Sequence, residues 1–173
     1  SDGGLENAQP KSVLDSTVPD YANGEGDGRA YVDFVLRIAV QLADGLAHAH
    51  AKGILHCDLK PPNVLVDKRG VPMLLDFNLS QERGIDPSRI GGTLPYMAPE
   101  QIRTTLLNSG EAIDERSDIY SLGVILYELL SCHLPASAAA NADTAVEELH
   151  ELRRAGPAPV RSLNKRVDHR LSE

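Results

Sequence analysis

The sequence predicts a mainly α-helical domain that carries one small β-hairpin. Two segments, 32–49 and 117–130, repeat apolar residues at helical spacing, and between them two short apolar runs flank a Gly-bearing turn. Its 173 residues suffice for one domain, or a piece of a larger one, to bury a core. With 42% hydrophobic and 24% charged residues, the chain is not collagen-like, mucin-like or wholly disordered.

Residues 1–30 stand apart. They hold five Gly, two Pro and six acidic residues without helical or strand periodicity, and are expected to be a flexible insertion or linker ahead of a domain at 31–173. A helix is expected from Tyr31, because Val32, Val35, Leu36, Ala39, Leu42, Leu46 and Ala49 recur at three- and four-residue steps and so form one apolar face. Gly53 is placed to end it, since a left-handed residue after a helix costs glycine nothing.

Val64–Val66 and Val71–Leu75, separated by Asp67-Lys68-Arg69-Gly70, read as a hairpin. Pro72 lacks an N–H and therefore belongs on an exposed edge. From Asp76 to Glu100 the pattern is irregular and reads as a long loop, a length that usually signals function. Ser117–Leu130 reads as a helix apolar almost all round, hence central to the domain. Thr144-x-x-Glu147 has capping-box form and opens an expected helix to Arg154. The basic stretch Arg153–Arg170 reads as solvated surface or as a docking segment.

The balance of charge excludes some functions. Seventeen Lys and Arg against 25 Asp and Glu give a net charge of −8, which disfavours nucleic-acid binding across a basic face. No apolar run approaches the roughly 20 residues that span a bilayer, so no membrane-spanning segment is expected. Cys57 and Cys132 make no disulfide framework and suit a reducing, cytoplasmic setting.

The chemistry concentrates in His56-Cys57-Asp58-Leu59-Lys60-Pro61-Pro62-Asn63, followed by Asp76-Phe77-Asn78 and Ala98-Pro99-Glu100. Asp58, Asn63 and Asp76 place oxygen-bearing side chains around the hairpin, with Lys60 between the first two. Carboxylate and amide oxygens are hard ligands suited to Mg2+, which keeps phosphate oxygens and water as its other ligands. Phosphoryl transfer needs a metal to neutralise phosphate oxygens, a cation near the moving group, and a base that aligns the attacking hydroxyl. His48 and His50, two apart on one helix, cannot face one metal together and read as satisfied or solvated side chains.

In their order along the chain these motifs resemble the H-R-D-L-K-x-x-N, D-F-G and A-P-E series of eukaryotic-type Ser/Thr protein kinases. Gly92-Thr93-x-x-Tyr96 and Ser117-Asp118-Ile119-Tyr120-Ser121-Leu122-Gly123 extend the match over residues 31–131. The resemblance implies the C-terminal lobe of a two-lobed α+β kinase fold, with ATP and Mg2+ as cofactors and a protein substrate. It implies Asp58 as the base that accepts the hydroxyl proton and Lys60 as the lysine near the γ-phosphate. Asn63 and Asp76 correspond to the Mg2+ ligands, Leu65 lies under the adenine ring, and Thr93 helps select hydroxyl substrates. His56 and Phe77 would stack in an internal spine anchored by Asp118, which gives His56 a packing role.

Three departures accompany the resemblance. Cys57 stands where the family has the Arg that pairs with a phosphorylated activation loop, so activity is expected not to require loop phosphorylation. Asn78 stands where D-F-G has Gly, and Asn is the non-Gly residue most at ease with positive φ. Neither a Gly-rich phosphate loop nor a V-A-I-K-like strand lysine precedes the catalytic loop; Gly24-Glu25-Gly26-Asp27-Gly28 lacks the flanking strand pattern. The expectation is a lobe that begins after the hinge and stops before the last helices, completed by an N-lobe in cis or in trans. The other readings are a lobe-only pseudokinase or truncated product acting as a protein-interaction module, and a kinase-like small-molecule phosphotransferase. Lys60, Gly92-Thr93 and Ala98-Pro99-Glu100 argue against the latter.

Overall fold

A computed structural model describes residues 28–77, 94–135 and 155–168. The helix expected at 144–154, and residues 1–27 of the expected linker, lie outside them. The described chain is mainly helical with one two-stranded antiparallel sheet, as the sequence predicts.

Helix α1 runs Gly28–His50, starting three residues before the expected Tyr31. Tyr31, Val32, Val35, Ile38, Ala39, Leu42, Leu46 and Ala49 form its buried face, and Leu36 lies at the margin. The helix ends in a Schellman motif: Ile54 N–H donates to the Ala49 carbonyl at 3.0 Å and Gly53 N–H to the His50 carbonyl at 2.8 Å. Gly53 has φ +72°, the left-handed conformation expected of it.

A short 3-10 turn, Pro61–Asn63, leads into β1, Val64–Val66, which pairs with β2, Pro72–Leu74. Val64 lies opposite Leu74, Leu65 opposite Met73 and Val66 opposite Pro72. The second strand is shorter than the expected Val71–Leu75. With only two strands both have an open edge, so Pro72 leaves no central ladder bond unmade. The turn is fixed by Asp67, whose Oδ1 accepts from the N–H groups of Arg69 and Val71 at 2.8 and 2.9 Å.

Helix α2, Pro99–Leu107, starts one residue before Glu100, where the sequence expected the irregular loop to end, and was not anticipated. Pro99 occupies its first position, where a missing N–H is harmless, and Pro99, Gln101 and Ile102 are buried. Helix α3, Glu115–Ser131, is capped by Asp114, which accepts from Arg116 N–H at 2.9 Å. It buries Leu122, Val124, Ile125 and Leu130, while Ile119 is 52% exposed. Among the described residues it packs mainly against α1, with further contacts from α2 and from the segment 94–96.

The core forms where these elements meet. Ile38, Leu42 and Leu46 of α1 pack with Leu59, Val64 and Val66 and with Leu122 and Ile125 of α3. Each such aliphatic side chain, fully buried, contributes roughly 1.5–3 kcal/mol. A second cluster joins Tyr31, Val32, Val35 and Leu130 to Val167, just after the four-residue helix α4, Val160–Leu163. Tyr31 donates its hydroxyl to the Leu129 carbonyl at 2.7 Å. Among the described residues no helix is long and apolar enough to cross a membrane.

Candidate active site

Residues 54–63 connect the end of α1 to β1, and their path is set from beneath by α3. Asp118, 1% exposed, accepts from His56 N–H through Oδ2 and from Cys57 N–H through Oδ1, both at 2.8 Å. His50 Nε2 reaches the same Oδ2 at 2.8 Å. His50 is thus a satisfied side chain, one of the two outcomes the sequence left open, and it binds the last turn of α1 to the first turns of α3.

His56 is fully buried, with its ring centroid 4.8 Å from that of Phe77 and tilted 45° to it. Neither ring nitrogen has a hydrogen-bond partner among the described residues. Burial pushes its pKa below the ordinary 6.5, against the opposing pull of the Asp118 carboxylate, nearby carbonyls and Asp58. The ring is held in place by this packing against Phe77.

Cys57 adopts φ +61°, a left-handed conformation unusual for a residue with a Cβ. Its carbonyl accepts from Gln101 Nε2 at 2.9 Å. Burial, reinforced by the Asp118 and Asp58 carboxylates, pushes its thiol up to about 11, so the thiolate is scarce at neutral pH.

Beyond Cys57, three of the expected residues, Asp58, Lys60 and Asn63, converge. Lys60 Nζ lies 3.1 Å from Oδ1 and 2.9 Å from Oδ2 of Asp58. Asn63 Nδ2 donates to the Asp58 carbonyl at 2.8 Å and to its Oδ2 at 3.3 Å. Leu59 turns inward, 1% exposed, so that its neighbours Asp58 and Lys60 face the surface. Asp76 is exposed at the far end of the hairpin, with φ +54°. Leu75 N–H donates to the Asn63 carbonyl at 2.9 Å, which ties the position before Asp76 to Asn63. Leu65 is half-buried, on the face of β1 opposite Val64 and Val66. Thr93 and Asn78 lie outside the described residues.

The segment after Thr93 is pinned to α3. Ser121 donates to the Tyr96 carbonyl at 2.7 Å, the Tyr96 hydroxyl donates to Glu128 at 2.7 Å, and Ser117 donates to Glu100 at 2.6 Å. Sequence reasoning missed Gln101, 1% exposed, whose Oε1 accepts from Ala98 N–H at 2.9 Å. The only available signal was a Gln three positions after Ala98, which suggests a capping box when a Ser or Thr precedes it.

The chain is similar to known proteins over most of its length. Residues 29–171 match the family model described as "Protein kinase domain". The chain is 37% identical over 150 residues to the serine/threonine-protein kinase pkn3 of Myxococcus xanthus, covering 80% of this chain and 25% of that protein. It is 30% identical over 147 residues to a probable serine/threonine-protein kinase of Clostridium perfringens, covering 82% and 20%. A serine/threonine-protein kinase of Arabidopsis thaliana is 40% identical over 93 residues, covering 53% and 19%. The chain thus spans a quarter or less of the length of these relatives.

Proposed function

This chain belongs to the protein kinase family, and on that premise we propose that it is the catalytic lobe of a serine/threonine protein kinase, moving the γ-phosphoryl group of Mg-ATP to a protein hydroxyl. The observation that carries the reading is the Asp58 carboxylate held between Lys60 and Asn63, at the mouth of a hairpin that ends on Asp76.

The residues suit a phosphate-bound divalent cation. Nδ2 of Asn63 is committed to Asp58, leaving Oδ1 as the oxygen it can offer. Asp76 presents an exposed carboxylate. Asn63 and Asp76 would offer a bound Mg2+ one oxygen each at the least, its other ligands coming from phosphate and water. When bound, Mg-ATP supplies the phosphoryl group and the neutralising charge.

Asp58 accepts the proton of the substrate hydroxyl. Lys60 keeps that carboxylate oriented and brings a positive charge beside the transferring oxygens. Leu65 offers an apolar surface to the adenine ring, and Thr93 carries hydroxyl selection by resemblance. Complementing residues come from an N-lobe in cis or in trans, the acceptor is a protein, and the setting is cytoplasmic.

The test is the melting temperature of the chain titrated with Mg-ATP, beside Asp76→Ala. A dose-dependent rise in the parent, absent in the variant, is the expected result. No rise in either overturns nucleotide binding by this lobe.

A further inference from the structure

We propose that Gln101 is a positioning residue that locks the peptide bond before Asp58 to the start of α2, so that the proton acceptor and the chain segment leading into α2 are held as one unit. The inference rests on the kinase reading only for the role of Asp58; the clamp itself stands on geometry.

Gln101 lies in the first turn of α2 yet is 1% exposed. Its two amide atoms serve different elements. Nε2 donates to the Cys57 carbonyl at 2.9 Å, and Oε1 accepts from Ala98 N–H at 2.9 Å. The amide's orientation follows from its partners: a carbonyl requires a donor and an N–H requires an acceptor, so only one assignment satisfies both. Glu could accept from Ala98 but, when ionised, would repel the carbonyl; Lys could donate but not accept.

The clamped residue is the one that needs it. Cys57 holds a left-handed backbone, sparsely populated by residues with a Cβ, which persists only where surrounding bonds over-determine it. Asp118 fixes its N–H from one side and Gln101 its carbonyl from the other. Both clamping side chains are 1% exposed, so no water substitutes for either. Release of the carbonyl frees the peptide that aims Asp58. At its other end Gln101 grips Ala98, two residues after Tyr96, whose carbonyl and hydroxyl are tied to α3. The loop bearing Asp58 and the segment entering α2 therefore share one rigid link.

Hydrogen–deuterium exchange of the full chain tests this without any need for activity. The readout is the His56 and Cys57 amides in Gln101→Glu and Gln101→Met, at pH 5.5 and 8.5, relative to the parent at the same pH. In Gln101→Glu at pH 8.5 these amides exchange about tenfold faster than in the parent. Burial at this 1% exposed position lifts the Glu carboxyl above its ordinary value, so at pH 5.5 it is protonated, donates again and protection returns. A side chain that only filled space would leave Gln101→Met protected. Gln101→Met loses protection at both pH values; should it fail to fold, the pH reversal in Gln101→Glu decides alone. Exchange equal to the parent at both pH values overturns the clamp. Where phosphotransfer is followed, Gln101→Glu lowers kcat about tenfold at pH 8.5 with the KM for ATP unchanged. Absence of a Mg-ATP shift in the parent would sink nucleotide binding by this lobe and leave the exchange result standing; a normal shift with unaltered exchange would sink only the clamp.

Discussion

Ser117 donates its hydroxyl to Oε1 of Glu100 at 2.6 Å, which fastens the first turn of α3 to the first turn of α2. Ser117 is 1% exposed and Glu100 half-buried, so the bond is charge-assisted and partly shielded from water. Ser117→Ala should lower stability by about 1–2 kcal/mol in urea denaturation. Glu100→Gln retains an acceptor oxygen and should cost less. No loss in Ser117→Ala would show that the hydroxyl contributes nothing specific.

Asp118 serves more partners and should matter more. Asp118→Ala strands the buried N–H groups of His56 and Cys57 and deprives His50 of its carboxylate. A loss of roughly 3 kcal/mol is expected, with the His56 and Cys57 amides exchanging faster than those of α1. A loss no greater than that of Ser117→Ala would contradict this placement of Asp118.

His56 gives a pH dependence with a defined sign. Burial holds its folded pKa below the ordinary 6.5, so the unfolded chain takes up a proton that the folded chain refuses. Stability from this residue is complete above 6.5 and declines as pH falls through that value towards the lower folded pKa. His56→Leu lacks the group, and its stability between pH 7 and 5 should fall less steeply than the parent's. Parallel profiles would remove His56 as a source of the acid sensitivity.

The two cysteines should differ in reactivity. Cys132 is exposed, whereas the Cys57 thiol is pushed up to about 11 from an ordinary 9.0. Two units correspond to about a hundredfold less thiolate at neutral pH. In Cys132→Ser, alkylation by iodoacetamide should proceed at about a hundredth of the rate of an unperturbed thiol. Labelling at a free-thiol rate would mean that the loop opens readily.

The parts legible in the sequence were those with repeated local signals. Apolar spacing on α1, Gly53 at its end, and Asp67 to Gly70 between two apolar runs each determine structure within a few residues. Helix α2 carried no such signal: Pro99, Thr104 and Thr105 are weak local advocates, and the helix is held by the burial of Gln101 and Ile102. The extra turn of α1 at Gly28–Ala30 is likewise disfavoured locally by Gly28 and arises at a fraying end. At the site, the spacing of Asp58, Lys60 and Asn63 was readable because all three act within six residues. The contacts of His50 with Asp118, Ser117 with Glu100, and Gln101 with Cys57 span 17 to 68 positions, and no local pattern specifies which polar side chain will be buried.

The hydroxyl of Tyr31 and the carbonyl of Leu129 that it meets lie 98 positions apart in the chain. The principal core has the same non-local character, since Leu42 and Leu46 rest on Leu122 and Ile125. Each doubling of the loop between such partners adds about 0.6 kcal/mol to closure, and non-local contacts slow folding. During synthesis α1 emerges long before the residues that cover it. Until α3 has left the ribosome, the face built from Val35, Ile38, Leu42 and Leu46 stays turned to water. Assembly of this lobe is thus a late, concerted event, and the nascent chain is a natural client for chaperones until its final third is made.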